Sequence, residues 1–159
     1  MTRLNRLNHA VLYVGDLDRS VEFYTKVFDF DVIANMGGQM AFLRARGSEN
    51  HHDLGLFAVG KDAPKAPKGA TGLYHLAWEV PAIEDLAEAA TTLANLGALG
   101  GASDHGATKS LYAKDPDGNE FEVMWMVPRE HWGEYENDAI TAPLNLEREL
   151  ARWGSAAAV

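Results

Sequence analysis

Two similar stretches decide the fold: Leu7-Asn-His9-Ala-Val-Leu-Tyr-Val14 and Leu73-Tyr-His75-Leu-Ala-Trp-Glu-Val80. Each opens with Leu-x-His and ends in Val, and the second histidine follows the first by 66 positions. The alternation of side chains in both is typical of a β-strand with one face toward a core. The chain therefore reads as an internal repeat, with one histidine at the same point of each copy.

Each stretch is followed by the same order of predicted elements. After the first, Asp16 or Asp18 can cap a helix over 19–28. After the second, Pro81 begins a longer helix that runs to about Gly97. Each helix is followed by three short strands, at 31–34, 40–44 and 54–59 in the first half and at 98–101, 109–114 and 119–126 in the second. Both halves therefore read β-α-β-β-β.

These elements predict an α+β fold in which two tandem βαβββ modules form a cupped mixed sheet around a site, within a single domain over 1–159. The predicted parts are module 1 at about 5–60, a linker at 61–71, module 2 at about 72–127, and a tail at 128–159. The linker is rich in Lys, Pro, Ala and Gly. In the tail we expect a helix from about Pro143 to Trp153 and a frayed end over 155–159.

Composition excludes several classes of protein. The 159 residues contain no cysteine, so disulfides, thiolate nucleophiles and Cys-ligated metal sites are excluded, and any metal must bind nitrogen or oxygen. A net charge of −9 disfavours nucleic acid and anionic membranes as partners, and the one Lys cluster, at 61–68, is interrupted by proline. No signal-peptide core or run of 18 apolar residues is present, so we expect a cytoplasmic protein without a membrane span.

The strand period predicts which side chains share a face. His9 alternates with apolar residues that should face the helix, and His75 does the same in the second copy. In the last strand, Glu122 opposes the apolar row of Phe121 and Val123. Two imidazoles and one carboxylate then converge, a set known for Fe(II) and also tolerated by Mn(II), Zn(II) or Ni(II). A single strand histidine is often an ordinary core residue, but its repetition favours His9, His75 and Glu122 as metal ligands.

The residues around these ligands resemble the vicinal oxygen chelate superfamily over about Leu7 to Val127. The resemblance is carried by His9 with the segment Asp16-Leu-Asp-Arg-Ser-Val-Glu-Phe-Tyr24, and by Asp115-Pro-Asp-Gly-Asn119 before Glu122. The superfamily includes glyoxalases, bleomycin and fosfomycin resistance proteins, epimerases and type I extradiol dioxygenases. The resemblance implies the paired-module fold and a metal site, but it does not choose a reaction.

The number of ligands separates these reactions. The resemblance implies four protein ligands in glyoxalases and epimerases, but two His and one Glu in extradiol dioxygenases. Glu122 lies 47 positions after His75, and the same step from His9 reaches Leu56, which offers no ligand atom. The nearest alternatives are His52 and Asp53. The count therefore favours three ligands. Among the members of the superfamily, the chain resembles most a single-domain protein similar to catechol 2,3-dioxygenases.

The same resemblance implies catalytic roles for three further residues. The segment His51-His52-Asp53-Leu54-Gly-Leu56 is similar to a His-His-x-Leu-Ala-Leu segment of extradiol dioxygenases, whose second His is an acid/base, a role that falls to His52. Tyr112, before Pro116, Gly118 and Glu122, would bind a substrate oxygen. His105 is the candidate for a further His before that Tyr, whereas His51 and His131 are expected at the surface or in a structural role.

The resemblance thus implies an Fe(II)-dependent enzyme that opens an aromatic diol with dioxygen, with His52 assisting the proton transfers. We also expect a homo-oligomer, dimeric or higher, because a single-domain chain must close its pocket differently from the two-domain enzymes, by dimerisation or by its C-terminal segment. Two alternatives stay open at this point. One is a non-redox glyoxalase or epimerase, which needs a further carboxylate or Gln ligand. The other is a bleomycin-type binding protein, which needs no metal.

Overall fold

A computed structural model describes residues 1–67 and 69–155. The chain divides into two compact units, unit 1 at Met1–Ala70 and unit 2 at Thr71–Val159. No helix within the described ranges is long and apolar enough to cross a bilayer. Residues 156–159 of the predicted frayed end at 155–159 lie outside the described residues, as does Lys68 of the predicted linker.

Unit 1 is a four-stranded mixed sheet with one helix. Its elements in chain order are β1 Ala10–Val14, α1 Leu17–Phe28, β2 Asp31–Met36, β3 Met40–Arg44 and β4 Leu54–Ala58. The strand order is β1-β4-β3-β2, with β1 and β4 parallel and the other pairs antiparallel. This is the predicted β-α-β-β-β module, with β2 two residues longer than expected.

The first helix begins two residues earlier than predicted because Asp16 is its N-cap. The Asp16 carboxylate accepts a hydrogen bond from the Arg19 N–H, which satisfies one of the free donors of the first turn. Lys61 forms an ion pair with the same carboxylate at 2.8 Å. The hydrogen bond of the Lys61 ammonium is the main reason that the pKa of Asp16 is lowered. The charged carboxylate at a helix N-terminus is the favourable arrangement.

Unit 2 repeats this plan and extends it. Its first elements are β5 Leu76–Glu79, α2 Ile83–Asn95, β6 Leu99–Asp104, β7 Thr108–Lys114 and β8 Glu120–Met126. The tail adds 3₁₀ turns at Arg129–His131 and Gly133–Glu136, then β9 Ala142–Pro143 and α3 Leu146–Trp153. The five strands form a second mixed sheet in the order β5-β8-β7-β6-β9.

The tail differs from its prediction in one respect. Pro143, expected as the start of a helix, instead lies in β9, where Ala142 and Pro143 pair with Asp104 and Ser103 at the edge of β6. The helix begins three residues later than predicted, where the Asn145 side chain accepts a hydrogen bond from the Arg148 N–H. Proline lacks the N–H donor that a central strand position needs, so within sheets it is found at edge positions such as this one. The tail is therefore anchored to the same sheet that carries Tyr112 and Glu122.

The predicted division of strand faces is confirmed in both units. In β1 the helix-facing Val14 is buried, whereas Val11 and Tyr13 on the other face are exposed. In β8 Phe121 and Val123 are buried, and Glu122 between them lies on the opposite face. Each sheet thus buries one face against its helix and leaves the face of the predicted ligands free for a site.

Candidate active site

Strand pairing gives Glu122 a row of neighbours on its face of the second sheet. Glu122 in β8 pairs with Ala77 in β5 and with Tyr112 in β7. Tyr112 in turn pairs with Gly101 in β6. Side chains of directly paired residues share a face and lie within contact distance. The row Ala77-Glu122-Tyr112-Gly101 therefore crosses the sheet with a carboxylate and a phenol at its centre.

Unit 1 contains the same row in the same register, with apolar residues. Gly55 in β4 pairs with Val11 in β1 and with Phe42 in β3. Phe42 pairs with Ala34 in β2. Phe42 is thus the counterpart of Tyr112, and the two rows differ in chemistry but not in position.

Gly55 is the counterpart of Glu122, since each is the second residue of the parallel pairing that starts directly after the histidine. The sequence count from His9 predicted Leu56 and was wrong by one, because unit 1 has one residue fewer between these strands. A Cβ on Gly55 would lie 3.3 Å from Val11 Cγ2 and 3.5 Å from the rings of Phe42 and Phe57. Unit 1 therefore has neither a carboxylate at this position nor room for one.

His75 and Glu122 form a close pair of metal-ligand atoms. His75 Nε2 lies 3.1 Å from Glu122 Oε2, and the two side chains are 24% and 13% exposed. Two ligand atoms that bind one ion at about 2.1 Å each and at right angles lie about 3.0 Å apart. In the described residues the buried His75 Nδ1 has no hydrogen-bond partner. The spacing and the nitrogen-oxygen donor set fit a divalent transition metal.

Tyr112 connects this pair to His105. The Tyr112 hydroxyl lies 2.8 Å from His105 Nε2, and His105 Nδ1 lies 2.7 Å from the carbonyl oxygen of Ile140 in the tail. A carbonyl can only accept, so His105 Nδ1 donates to Ile140, which leaves His105 Nε2 as an acceptor for the Tyr112 hydroxyl. The Tyr112 hydroxyl is also hydrogen-bonded to the Glu122 carboxylate. Burial raises the pKa of Tyr112, and the negative charge of Glu122 raises it further. The Tyr112 hydroxyl therefore stays protonated at neutral pH, and its oxygen can still accept a hydrogen bond from a substrate hydroxyl.

In unit 1, His52 lies against His9. Their ring centroids are 4.5 Å apart, and the ring centroids of Phe42 and His52 are 4.8 Å apart. His51 Nδ1 is 3.0 Å from His52 Nδ1, so one of these nitrogens donates to the other. Burial lowers the pKa of His52, and the charges of His9 and His51 lower it further, against the opposing effect of Asp53. His52 is thus a neutral imidazole, as a proton acceptor must be.

The loop that carries His52 is held by Asp53 and Asn50. The Asp53 carboxylate accepts hydrogen bonds from Ala45 N at 2.8 Å, Ser48 Oγ at 2.9 Å and Asn50 Nδ2 at 2.7 Å. Burial raises the pKa of Asp53, but these hydrogen bonds outweigh it and lower the pKa overall. Asn50 Nδ2 also donates to the Asn8 carbonyl at 2.8 Å, next to His9. Asp53 is therefore fully engaged as a structural acceptor.

The predicted site residues fall into two groups. His9 and His52 are together in unit 1, while His75, Glu122, Tyr112 and His105 are together in unit 2. Over 1–67 and 69–155, no group of three or more His, Asp or Glu side chains is arranged to hold a metal ion. His51 and His131 are exposed, in line with their predicted surface or structural roles.

Sequence reasoning missed three contributors. Asn50 and the Ile140 carbonyl hold catalytic candidates through contacts distant in sequence, and no local pattern marks them. Tyr74 was also missed, although its position beside His75 was a usable signal. Its ring centroid lies 4.7 Å from that of His75.

Comparisons with known proteins identify the family. The family model for the glyoxalase/bleomycin resistance protein/dioxygenase superfamily matches residues 6–123. The chain is 32% identical over 130 residues to catechol-2,3-dioxygenase of Bacillus subtilis (strain 168), which covers 79% of this chain and 43% of that protein. It is 32% identical over 155 residues to biphenyl-2,3-diol 1,2-dioxygenase 3 of Rhodococcus globerulus, and this match covers 91% of this chain and 80% of that protein. The chain thus spans less than half the length of the Bacillus relative.

A solved structure shares the fold. The glyoxylase/bleomycin resistance protein/dioxygenase domain from Frankia sp. EAN1pec superposes with a TM-score of 0.68. The match covers 83% of this chain and 99% of that one, at 23% identity. At this identity the likeness bears on the fold alone.

Proposed function

The chain belongs to the glyoxalase/bleomycin resistance protein/dioxygenase superfamily, and we propose that it is a metal-dependent dioxygenase for catechol-type diols. In the proposed reaction dioxygen is incorporated, and the ring carbon–carbon bond beside the two hydroxyls is broken. Both oxygen atoms enter the product, so no external reductant is needed. The proposed metal ligands are His9, His75 and Glu122.

One observation carries the choice of reaction: a carboxylate stands at only one of the two equivalent strand positions. Glu122 occupies it in unit 2, and Gly55 occupies it in unit 1. Asp53, the nearest carboxylate along β4, is engaged by three hydrogen bonds. A set of two imidazoles and one carboxylate matches open-coordination iron dioxygenases. The two named relatives, both diol dioxygenases, support the same reading.

The ligand atoms suit Fe(II) best for this reaction, while Mn(II), Zn(II) or Ni(II) would also bind such a set. A bound Fe(II) would supply the electron transfer to dioxygen that closed-shell amino-acid side chains cannot provide. The protein's own contribution is to hold His75 Nε2 and Glu122 Oε2 at ligand spacing within a mostly buried pair. Their burial limits access of water to the site.

His52 would serve as the acid/base. Its ring contacts those of His9 and Phe42, and these contacts limit its orientation. Because burial lowers its pKa, His52 is neutral at cellular pH and can accept a hydroxyl proton of the diol. The same imidazolium can then return a proton to the opened product.

Tyr112 and His105 would position the substrate oxygen. Tyr112 neighbours Glu122 in the sheet row, so its hydroxyl is directed to the face that carries the ligands. The tail carbonyl of Ile140 orients His105, and His105 Nε2 in turn holds the Tyr112 hydroxyl at 2.8 Å. This chain of hydrogen bonds keeps the phenol in one orientation before substrate arrives.

The test is a reconstitution assay. The protein is purified anaerobically, its bound metal is quantified, and Fe(II) is added before oxygen uptake and the yellow ring-cleavage product are followed with a panel of catechols. Light scattering on the same preparation measures the predicted homo-oligomeric state. Iron-dependent oxygen uptake with a yellow product is the expected result.

Other outcomes identify the alternatives. Stoichiometric metal without oxygen uptake for any catechol would contradict the proposal and favour a non-redox glyoxalase or epimerase. A protein that binds no metal, but does bind a flat drug of the bleomycin kind, would favour a resistance protein.

A further inference from the structure

A cavity of about 380 Å³ lies in unit 2 beside Tyr112. It is bounded by the rings of Tyr74 and Tyr112, by the bare backbone of Gly100 and Gly101, and by Lys114 and Glu120. Its volume is in the range of small-ligand pockets, which begins at about 300 Å³. Neither the ligand set nor the acid/base residues account for this space.

The cavity exists because the side-chain row ends in glycine. Gly101 pairs with Tyr112 and so occupies the row position beyond the phenol, on the face that carries Glu122. A Cβ built on Gly101 would meet no atom within 4 Å. The register shift between Leu99 and Gly101 leaves Gly100 as an extra, unmatched residue. Two consecutive residues without side chains therefore leave an opening next to Tyr112.

Backbone conformation does not explain these glycines. The left-handed region, which only glycine adopts freely, is occupied at ten other glycines but not at Gly100 or Gly101. A larger residue would therefore fit the backbone at Gly101. The consequence of glycine at this position is the space that a side chain would otherwise fill.

We propose that this opening is the subsite for the ring substituent of the diol, and that it accepts an uncharged apolar group. The inference rests on the proposed function, in which Tyr112 binds the substrate oxygen next to the opening. Two phenol rings and bare backbone favour flat or aliphatic groups of a few carbon atoms. The substrate class is accordingly a catechol with an alkyl or aryl substituent.

The charges at the rim argue against an anionic substituent. Lys114 Nζ lies 3.8 Å from Glu120 Oε2, and the two side chains are 63% and 23% exposed. The ammonium is therefore mainly in solvent, while the carboxylate is the more buried of the two and is also hydrogen-bonded to the Tyr74 hydroxyl. A carboxylate on the substrate would meet the more buried negative charge and lose its own hydration.

The experiment compares three probes on Fe(II)-loaded protein: catechol, propylcatechol and dihydroxyphenylpropionate, each chain para to one hydroxyl. Anaerobic calorimetric titration gives the affinities, and oxygen uptake gives kcat/KM. The variants are Gly101→Leu, which fills the opening, and Gly101→Ala, which narrows it without risk to the fold. Ala102→Leu is the matched control, since it enlarges the neighbouring residue on the other face of the strand.

We expect the wild type to prefer propylcatechol to dihydroxyphenylpropionate by about tenfold. Gly101→Leu should lower the affinity and kcat/KM for propylcatechol about tenfold relative to catechol, because one displaced apolar group has an effect of this size. For Gly101→Ala both quantities should lie between those of the wild type and those of Gly101→Leu. For Ala102→Leu they should equal those of the wild type.

If the ratio of kcat/KM for propylcatechol to that for catechol were unchanged in both Gly101 variants, the proposed subsite would be wrong. A wild-type preference for dihydroxyphenylpropionate over propylcatechol would also contradict it. The two proposals fail separately. Turnover without this selectivity refutes the subsite alone, whereas selective binding without turnover refutes the dioxygenase proposal and leaves the subsite supported.

Discussion

The two sheets share one strand order and one register, yet their central rows have opposite chemistry. Even the irregularity is repeated, since the register shifts in the second strand of each unit, before Ala34 and before Gly101. In unit 1 the row is apolar, and Phe42 supports the His52 ring. In unit 2 the matching Tyr112 carries a hydroxyl bonded to His105. The repeated fold supplies equivalent positions, and single residues at those positions decide which unit carries the carboxylate.

The comparison also shows how packing maintains the difference. Gly55 is enclosed by Val11, Phe42 and Phe57, so unit 1 cannot accept a carboxylate without rearrangement. Glu122 faces His75 and Tyr112, which supply polar partners for a charge in a mostly buried place. A buried carboxylate is tolerated only where such partners or a metal compensate it.

The largest effect is expected from Glu122→Ala, which removes the carboxylate that unit 1 lacks. Iron binding and turnover should both fall by more than about a hundredfold, beyond the loss seen for groups that only support a ligand. Metal analysis and oxygen uptake measure this. Glu79→Ala, which removes an exposed carboxylate from the neighbouring strand β5, is the control, and an equal loss there would show that Glu122 has no special role.

His52→Ala tests the contribution of unit 1. Turnover should fall by about 10² to 10⁴, the usual contribution of an acid/base group, while bound iron stays stoichiometric. His131→Ala, which removes an exposed histidine outside both groups of site residues, is the control and should have a small effect. Intact turnover in His52→Ala would remove this residue from the mechanism.

Tyr112→Phe converts the row of unit 2 toward that of unit 1. One lost hydrogen bond to substrate should lower kcat/KM about tenfold, with iron affinity unchanged. The reciprocal Phe42→Tyr should bring no gain in activity, because residue 42 pairs with Gly55, whereas Tyr112 pairs with the carboxylate of Glu122. If both variants changed iron affinity, the row would be part of the ligand shell in both units.

The smallest effect on activity is expected at Gly55, where the measured quantity is stability. Gly55→Ala should lower the free energy of unfolding by about 1 kcal/mol, and Gly55→Glu by about 2 to 3 kcal/mol, because the added atoms meet Val11 Cγ2 and a charge is buried. Urea unfolding measures both. A stable Gly55→Glu variant with tighter metal binding would show that packing does not enforce the difference between the units.

Local patterns were sufficient for the elements of the fold. The duplicated Leu-x-His stretches and the strand alternation predicted both modules, and most boundaries agree within two or three residues. The errors occur where distant contacts decide. Ala142 and Pro143 pair with β6 because that edge is available, and Gly55 rather than Leu56 faces the site because register depends on the loops between strands.

For the site, the sequence by itself determined the residue types: two repeated histidines, one carboxylate opposite an apolar row, a tyrosine before it, and no cysteine. Tertiary structure alone decided the 3.1 Å approach of His75 to Glu122, the single orientation of His105 by Ile140, and the opening at Gly101. Periodicity assigns a side chain to a face of its own strand. Which atoms meet across strands depends on register and on chain segments far apart in sequence, and these are settled only when the sheet forms.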